Sequence, residues 1–197
     1  LVIREVALDD EKDLAATVDH IADGGTGLIV IVEPHDIDAL LKIPSLYPDI
    51  DFSVIGIKSP LYLTNVRSML FKVPEGAFMM GVMAALNSRT GTVGFVSKDD
   101  NDDARNLAYA FFQGAKYANP DIKVSRQLGA VSSFGKPLFD PADPADVEFV
   151  LDPELFDQAA HDAHEQKRLI IPFDRDLTPT YPGDVLTSLL EHYDLAI

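Results

Sequence analysis

Four side chains in one short stretch, His161, Asp162, His164 and Glu165, are of the types that hold metals or move protons. The i, i+3 spacing of the two histidines puts both imidazoles on one face of a helix. Zinc-binding helices use other spacings and no third ligand is evident, so the stretch reads as a solvated helix face. Paired carboxylates are abundant, but in a chain with 24 Asp and eight Glu their adjacency says nothing specific about acid–base chemistry. There is no G-x-S-x-G, no phosphate-binding loop and no G-x-G-x-x-G, and Gly24-Gly25-Thr26-Gly27 precedes an apolar run instead of following one. The residue types therefore predict no catalysis, no metal and no cofactor. They predict binding instead: Asp174, with Asp176 beside it, follows the run IIPF at the C-terminal end of an expected strand. Open α/β sheets place their ligands at such ends.

The elements that must position these residues are legible from periodicity. LVIREVAL (1–8) reads as a short strand, and Leu14, Val18 and Ile21 recur at helical spacing before Gly24-Gly25. GLIVIVE (27–33) is a continuous apolar run of the kind buried on both faces of a parallel sheet. A helix over 36–42, a Pro-containing turn and a strand over 51–57 follow, giving a β-α-β-α-β order with right-handed crossovers. A second series places helices over 74–88, 103–118 and 154–167, and strands over 91–96, 122–127, 146–151 and 168–173. The Pro- and Asp-rich segment 131–145 reads as a surface loop. This predicts two α/β lobes of parallel sheets flanked by helices, residues 1–57 and 58–197, with the chain crossing near Ile57 to Asn65. Asn65 at that crossing and Lys98 at the end of the GFVS strand then face the cleft.

Composition bounds the partners. The chain has 197 residues, 47% hydrophobic and 24% charged, as an ordinary globular protein does. Its net charge of −16, with no basic cluster, excludes nucleic acid and anionic lipid surfaces as partners. The excess of aspartate reads as a solvated acidic surface. The absence of cysteine removes disulfides and thiol chemistry from consideration. No apolar run reaches the ~18 residues that a membrane span needs.

The stretch Phe71–Val124 carries the most specific pattern. An E-G-A-F helix start leads into a small-residue helix, then T-G-T-V-G-F-V, a polar loop, and F-x-x-G-A-K-Y-x-N-P-D-I-K-V. In that order these pieces resemble the basic membrane protein (BMP) family, whose best-known members are purine-nucleoside receptors feeding ABC transporters. GTGLIVIVEPHDIDALLKIPSLYPDIDFSVI, Asn65-Val66, ADVEFV (145–150), IIPFDRD (170–176) and PGDVLTSLLEHYDLAI (182–197) are similar to the family's remaining segments. The resemblance implies a type I periplasmic-binding-protein fold. It implies Phe149 as the aromatic that stacks a base and Asp174 as the carboxylate that takes ribose hydroxyls, with Asp176 beside it; Asn65 and Lys98 are candidates by their place at the cleft, Lys98 to answer an anionic or polar ligand edge.

Departures from the family pattern are equally legible. The D-x-x-F-N strand and helix that grip the base do not precede Leu1, and the family's final helix does not follow Ile197; the expectation is an excerpt of a longer protein with an incomplete N-terminal lobe. Where the family has a glycine turn, Leu151-Asp152-Pro153 removes a backbone donor. The lysine of the T-S-x-x-K pattern is Glu191 here, and a helix before ADVEFV is replaced by the 131–145 loop. The expected function is a non-catalytic, nucleoside-binding component of an ABC transporter that closes by hinge motion and presents a surface to a permease. A periplasmic or extracellular, membrane-anchored location follows from the same resemblance. The alternatives are a sensory or regulatory domain of the same ancestry, in which closure or dimerisation drives an output, and a degenerate interaction module.

Overall fold

Alternating apolar strands and amphipathic helices build two separate parallel sheets. The computed structural model describes residues 6, 14–34, 36–56, 63–131 and 136–192. The chain divides into two units, residues 1–71 with 192–197, and residues 72–191. The expected strand over 1–8 and most of the expected crossing at 57–65 lie outside the described residues.

In the first unit, α1 (Leu14–Ala22) ends at the Gly24-Gly25 turn, where Gly25 takes φ 75°. β1 (Leu28–Val32), α2 (Ile37–Leu46), β2 (Asp51–Ile55) and β3 (Val66–Met69) follow. The order is β1-β2-β3, all parallel, with Ile29 opposite Phe52 and Phe52 opposite Val66. Leu14, Val18, Leu40 and Ile43 of the helices close over Ile29, Ile31, Phe52 and Val54 in one core cluster. β1 is therefore covered on one face among the described residues, and Leu28 and Val32 stay exposed, where burial on both faces was expected. Helix α2 also outruns its expected end: Asp36 caps its start by accepting from Ala39 N–H, and the helix passes through buried Pro44 to Leu46. A proline in the last turn deletes a single ladder bond. The expected boundary at 57/58 would give residues 66–69 to the second lobe, whereas pairing of β3 with β2 holds them in the first unit.

In the second unit, α3 (Val73–Asn87), β4 (Thr92–Ser97), α4 (Asp102–Ala118), β5 (Lys123–Leu128), β6 (Val147–Val150), a 3-10 turn (Pro153–Leu155), α5 (Phe156–Gln166) and β7 (Leu169–Pro172) match the expected elements to within a residue or two at their ends. The order is β5-β4-β6-β7, all parallel. Strand alternation sends Val93, Phe95, Val147, Phe149 and Ile171 into a core under α3 and α4. It sends Val96, Val150 and Ile170 into a second core under α5 on the opposite face. Residues 184–189 run along the outer edge of β7, with bridges Ile170–Val185 and Phe173–Leu189.

The α3–α4 crossing depends on glycine. A Cβ at Gly81 would lie 1.9 Å from Phe111 O, and one at Gly114 would lie 1.8 Å from Phe78 O. The segment after β5 is, in its described residues, the expected surface loop with an inward anchor at Leu138-Phe139. Leu138 and Phe139 are buried, and both donate their backbone N–H to the buried Asp162 carboxylate of α5. Arg168 donates to Glu148 at 2.8 Å and to the carbonyls of Asp140 and Asp143, and lies over the Phe139 ring. Leu138 and Phe139 turn inward because their backbone finds buried polar partners, while Pro137, Asp140, Pro141 and Pro144 stay exposed.

Candidate functional site

Three neighbouring strands of the second unit end side by side, and their C-terminal ends carry the polar side chains expected to bind. β4 ends at Ser97-Lys98, β6 at Leu151-Asp152 and β7 at Phe173-Asp174. Adjacent strands are spaced by about 4.8 Å, so these ends line one edge. Lys98 N–H donates to Asp152 Oδ2 at 2.6 Å, and its Nζ donates to Glu154 Oε1 at 2.6 Å. The bond from Glu154 raises the Lys98 ammonium above its ordinary value, and the same bond lowers the Glu154 carboxyl. Lys98 is thus part of an ion pair that also fixes the turn after β6.

Asp174 sits in the left-handed region at φ 56°, a conformation that aspartate adopts more readily than most residues with a side chain. Its N–H donates to Leu189 O at 2.7 Å, and its carboxylate accepts the Glu191 N–H at 3.3 Å. The side chain stays exposed. Asp176 accepts from Thr178 N–H at 2.9 Å and Ser188 Oγ at 3.5 Å, and the Thr178 bond holds its carboxyl below the usual range. The 173–178 loop is thereby tied to residues 188–191.

Asn65 and Phe149 are placed elsewhere. Asn65 belongs to the first unit, where its Nδ2 donates to the carbonyls of Pro44, Tyr47 and Ile50 at 2.9 to 3.1 Å. It closes the end of α2 behind the proline. Phe149 has 0% exposure, with its ring stacked on Phe95 at 5.3 Å and tilted against Phe111 at 5.5 Å. A ring so enclosed presents no face to a ligand; it packs the core. Asp152 and Glu154 join the edge without having been signalled in the sequence, because their place beside Lys98 is set by the β4–β6 pairing. Only Pro153, which follows an apolar strand and ends it sharply, hints at the turn.

The two histidines of α5 pair outward, His161 with Glu165 at 3.6 Å and His164 with Asp184 at 3.2 Å. Among the described residues no group of three His, Asp or Glu is arranged to hold a metal ion. Among them, too, no helix is long and apolar enough to cross a membrane. Two shallow concavities of about 410 and 440 Å³ share no lining residue with the edge, one by Thr92, Ser125 and Asp143, the other by Pro74, Phe78 and Gln113.

Residues 2–134 match the model of the Bmp family, the PnrA-like ABC transporter substrate-binding proteins. The chain is 33% identical over 130 residues to basic membrane protein A2 of Borrelia garinii subsp. bavariensis. It is 32% identical over 133 residues to basic membrane protein A of Borreliella burgdorferi. Each alignment takes in 64% of this chain and 37% of the relative, so the chain spans little more than a third of these curated relatives' length. Among solved structures, it is similar to a transcriptional activator of the comK gene from Bacillus halodurans, at TM-score 0.72 and 20% identity over 92% of this chain and 64% of that one. An ABC transporter solute-binding protein from Aeropyrum pernix K1 gives TM-score 0.69 and 20% identity over 92% and 55% of the two chains. These likenesses carry the fold, type I periplasmic-binding-protein-like, as expected from the sequence.

Proposed function

From the fact that this chain belongs to the Bmp family of PnrA-like ABC transporter substrate-binding proteins, we infer that it is a non-catalytic module that binds a small, hydroxylated, nucleoside-like solute and delivers it to an ABC permease. The observation that carries this reading is Asp174, an exposed carboxylate held in a left-handed turn where β7 ends. An ionised carboxylate has two oxygens and accepts from two vicinal hydroxyls at once. Its neighbour Asp176 and the Lys98–Glu154 pair supply further acceptors and one ammonium along the same edge. The acidic balance of the edge disfavours a phosphorylated solute. A stacking surface for the base comes from outside the Phe149 ring. Placement outside the cytoplasmic membrane, with an anchor, belongs to the same reading.

Thermal unfolding of the 197-residue chain against purine and pyrimidine nucleosides, free bases and nucleoside monophosphates tests it. A ligand at about 100 times its dissociation constant adds roughly 2.7 kcal/mol and raises Tm by several degrees. The expected result is a shift with a nucleoside that is lost in Asp174→Ala and absent with the monophosphate. A well-folded sample that shifts with none of the panel would overturn the nucleoside assignment.

A further inference from the structure

Helix α3 carries an apolar stripe on the side turned away from its partners. Gly81 faces α4, and Ala77, Ala84 and Ala85 are buried, while Met79, Met83 and Leu86 are exposed at 55%, 37% and 68%. Their spacing of i, i+4 and i+7 aligns them along one face, with half-buried Val82 between. Isolated surface apolars need no account, but a helix-long line of them does.

Charge distinguishes what covers this line. From Gly76 to Ser88 the chain has no ionisable residue, although it is 24% charged and carries a net −16. Two copies of so acidic a protein repel through most approaches, and salt screens that repulsion only beyond ~8 Å. They can close where neither surface bears charge. The ends of the stripe add the complement: Glu75 stands in the first turn, and Arg89, whose side chain is 72% exposed, follows the last. A two-fold axis near residues 82 and 83 makes the helices antiparallel. That sets Met79 against the other copy's Leu86 and Glu75 near its Arg89, since both pairs are balanced about the same centre.

We propose that α3 is a self-complementary interface through which two copies of this chain form an antiparallel, two-fold dimer. Glu75 now bridges to Lys72 at 3.0 Å, and Arg89 donates to Lys167 O at 2.8 Å. The Glu75–Lys72 pair is exposed at both ends, so its exchange across the axis costs little, while Arg89, which also has the buried Asp146 carboxylate 3.7 Å away, keeps its own contacts and adds Glu75 of the other copy as a further partner. One helix face of about 22 Å length buries less than the ~1,600 Å² of a standard interface, the size class of weak and transient pairs, so a micromolar or weaker dissociation constant is expected.

Sedimentation equilibrium of the purified chain from about 5 to about 500 µM, a span that brackets such an affinity, reads the mass directly. The expected result is a reversible dimer at the upper end. Met83→Glu, which places like charges at the axis, raises the dissociation constant by about tenfold or more while Tm is unchanged. Leu86→Gln gives the same direction should the charge variant fail to fold, and Glu75→Arg weakens the dimer by repelling Arg89 of the other copy. A monomer at every concentration overturns the proposal, and so does a dimer indifferent to Met83→Glu and Leu86→Gln, since it would use another surface.

Discussion

In the first unit, β1 buries Ile29 and Ile31 on one face and leaves Leu28 and Val32 open. In the second, all six residues of β4 and all four of β6 are buried. The consequence shows in the polar residues. Among the described residues the buried polar and charged side chains, Thr92, Ser97, Asp146, Glu148, Asp162 and Arg168, all belong to the second unit. A sheet covered on both sides traps side chains that a half-covered sheet leaves in water, and each trapped group must then be given partners. Asp146 accepts from Ser88 Oγ at 2.6 Å and from the N–H groups of Arg89 and Thr90, and Asp162 takes two backbone donors. The first unit relies on apolar closure and surface caps, the second on apolar closure plus a buried ionic frame.

Close packing separates the units most strongly. Gly114→Val in the second unit drives side-chain atoms into the Phe78 carbonyl and should cost about 4 kcal/mol or more, read by urea unfolding. Gly27→Ala in the first unit meets nothing within 4 Å and should change stability by no more than about 0.5 kcal/mol. Equal effects would dissolve the contrast.

Breaking the ionic frame comes next. Arg168→Met leaves Glu148 buried beside Gly94 and strands two carbonyls, at a cost of about 3–5 kcal/mol. Adding Glu148→Gln should recover part of that loss, since without Arg168 the buried carboxyl must take up a proton to be neutral and the amide need not.

The same pair gives the second unit a pH signature. Burial pushes the Glu148 carboxyl up to about 7 against the pull of Arg168. The folded state therefore holds this proton where the unfolded chain, near 4.5, has released it. The stabilising contribution is complete below pH 4.5 and is lost as pH rises through 7, amounting to about 3 kcal/mol at most. Subtracting the Tm profile of Glu148→Gln from that of the parent isolates it, because the lowered groups Glu154 and Asp176 are common to both. A flat difference between pH 5 and 8 would mean that Glu148 stays ionised throughout.

Smaller effects are expected from the remaining polar sites. Asn65→Ala removes the donor shared by three carbonyls behind Pro44 and should destabilise the first unit by about 2 kcal/mol. Asp174→Gly relieves a left-handed residue and should leave Tm within a degree or two, or raise it slightly, while abolishing any ligand-induced shift. A large loss of stability there would make Asp174 a structural residue instead.

Apolar runs bounded by Gly and Pro located nearly every described strand and helix, and the ordered motifs of residues 71–124 identified the family, because both signals are local in the chain. β3 went unrecognised since VRSM has little apolar content and earns its strand only by pairing with β2. The positions of Asp174 and Asp176 just past β7 were legible for the same reason as the strands: they follow an apolar run. The rest was decided in three dimensions. Period-two alternation says that Glu148 and Phe149 face opposite ways, but not that helices seal both faces, which turns Phe149 into core and Glu148 into half of a buried ion pair. Lys98 meets Asp152 and Glu154 only because β4 lies beside β6, and Asn65 reaches α2 only because β3 lies beside β2. Local pattern fixes which residues form an element and which way each points; what a side chain meets there depends on segments tens of residues away, which only the packed sheet brings together.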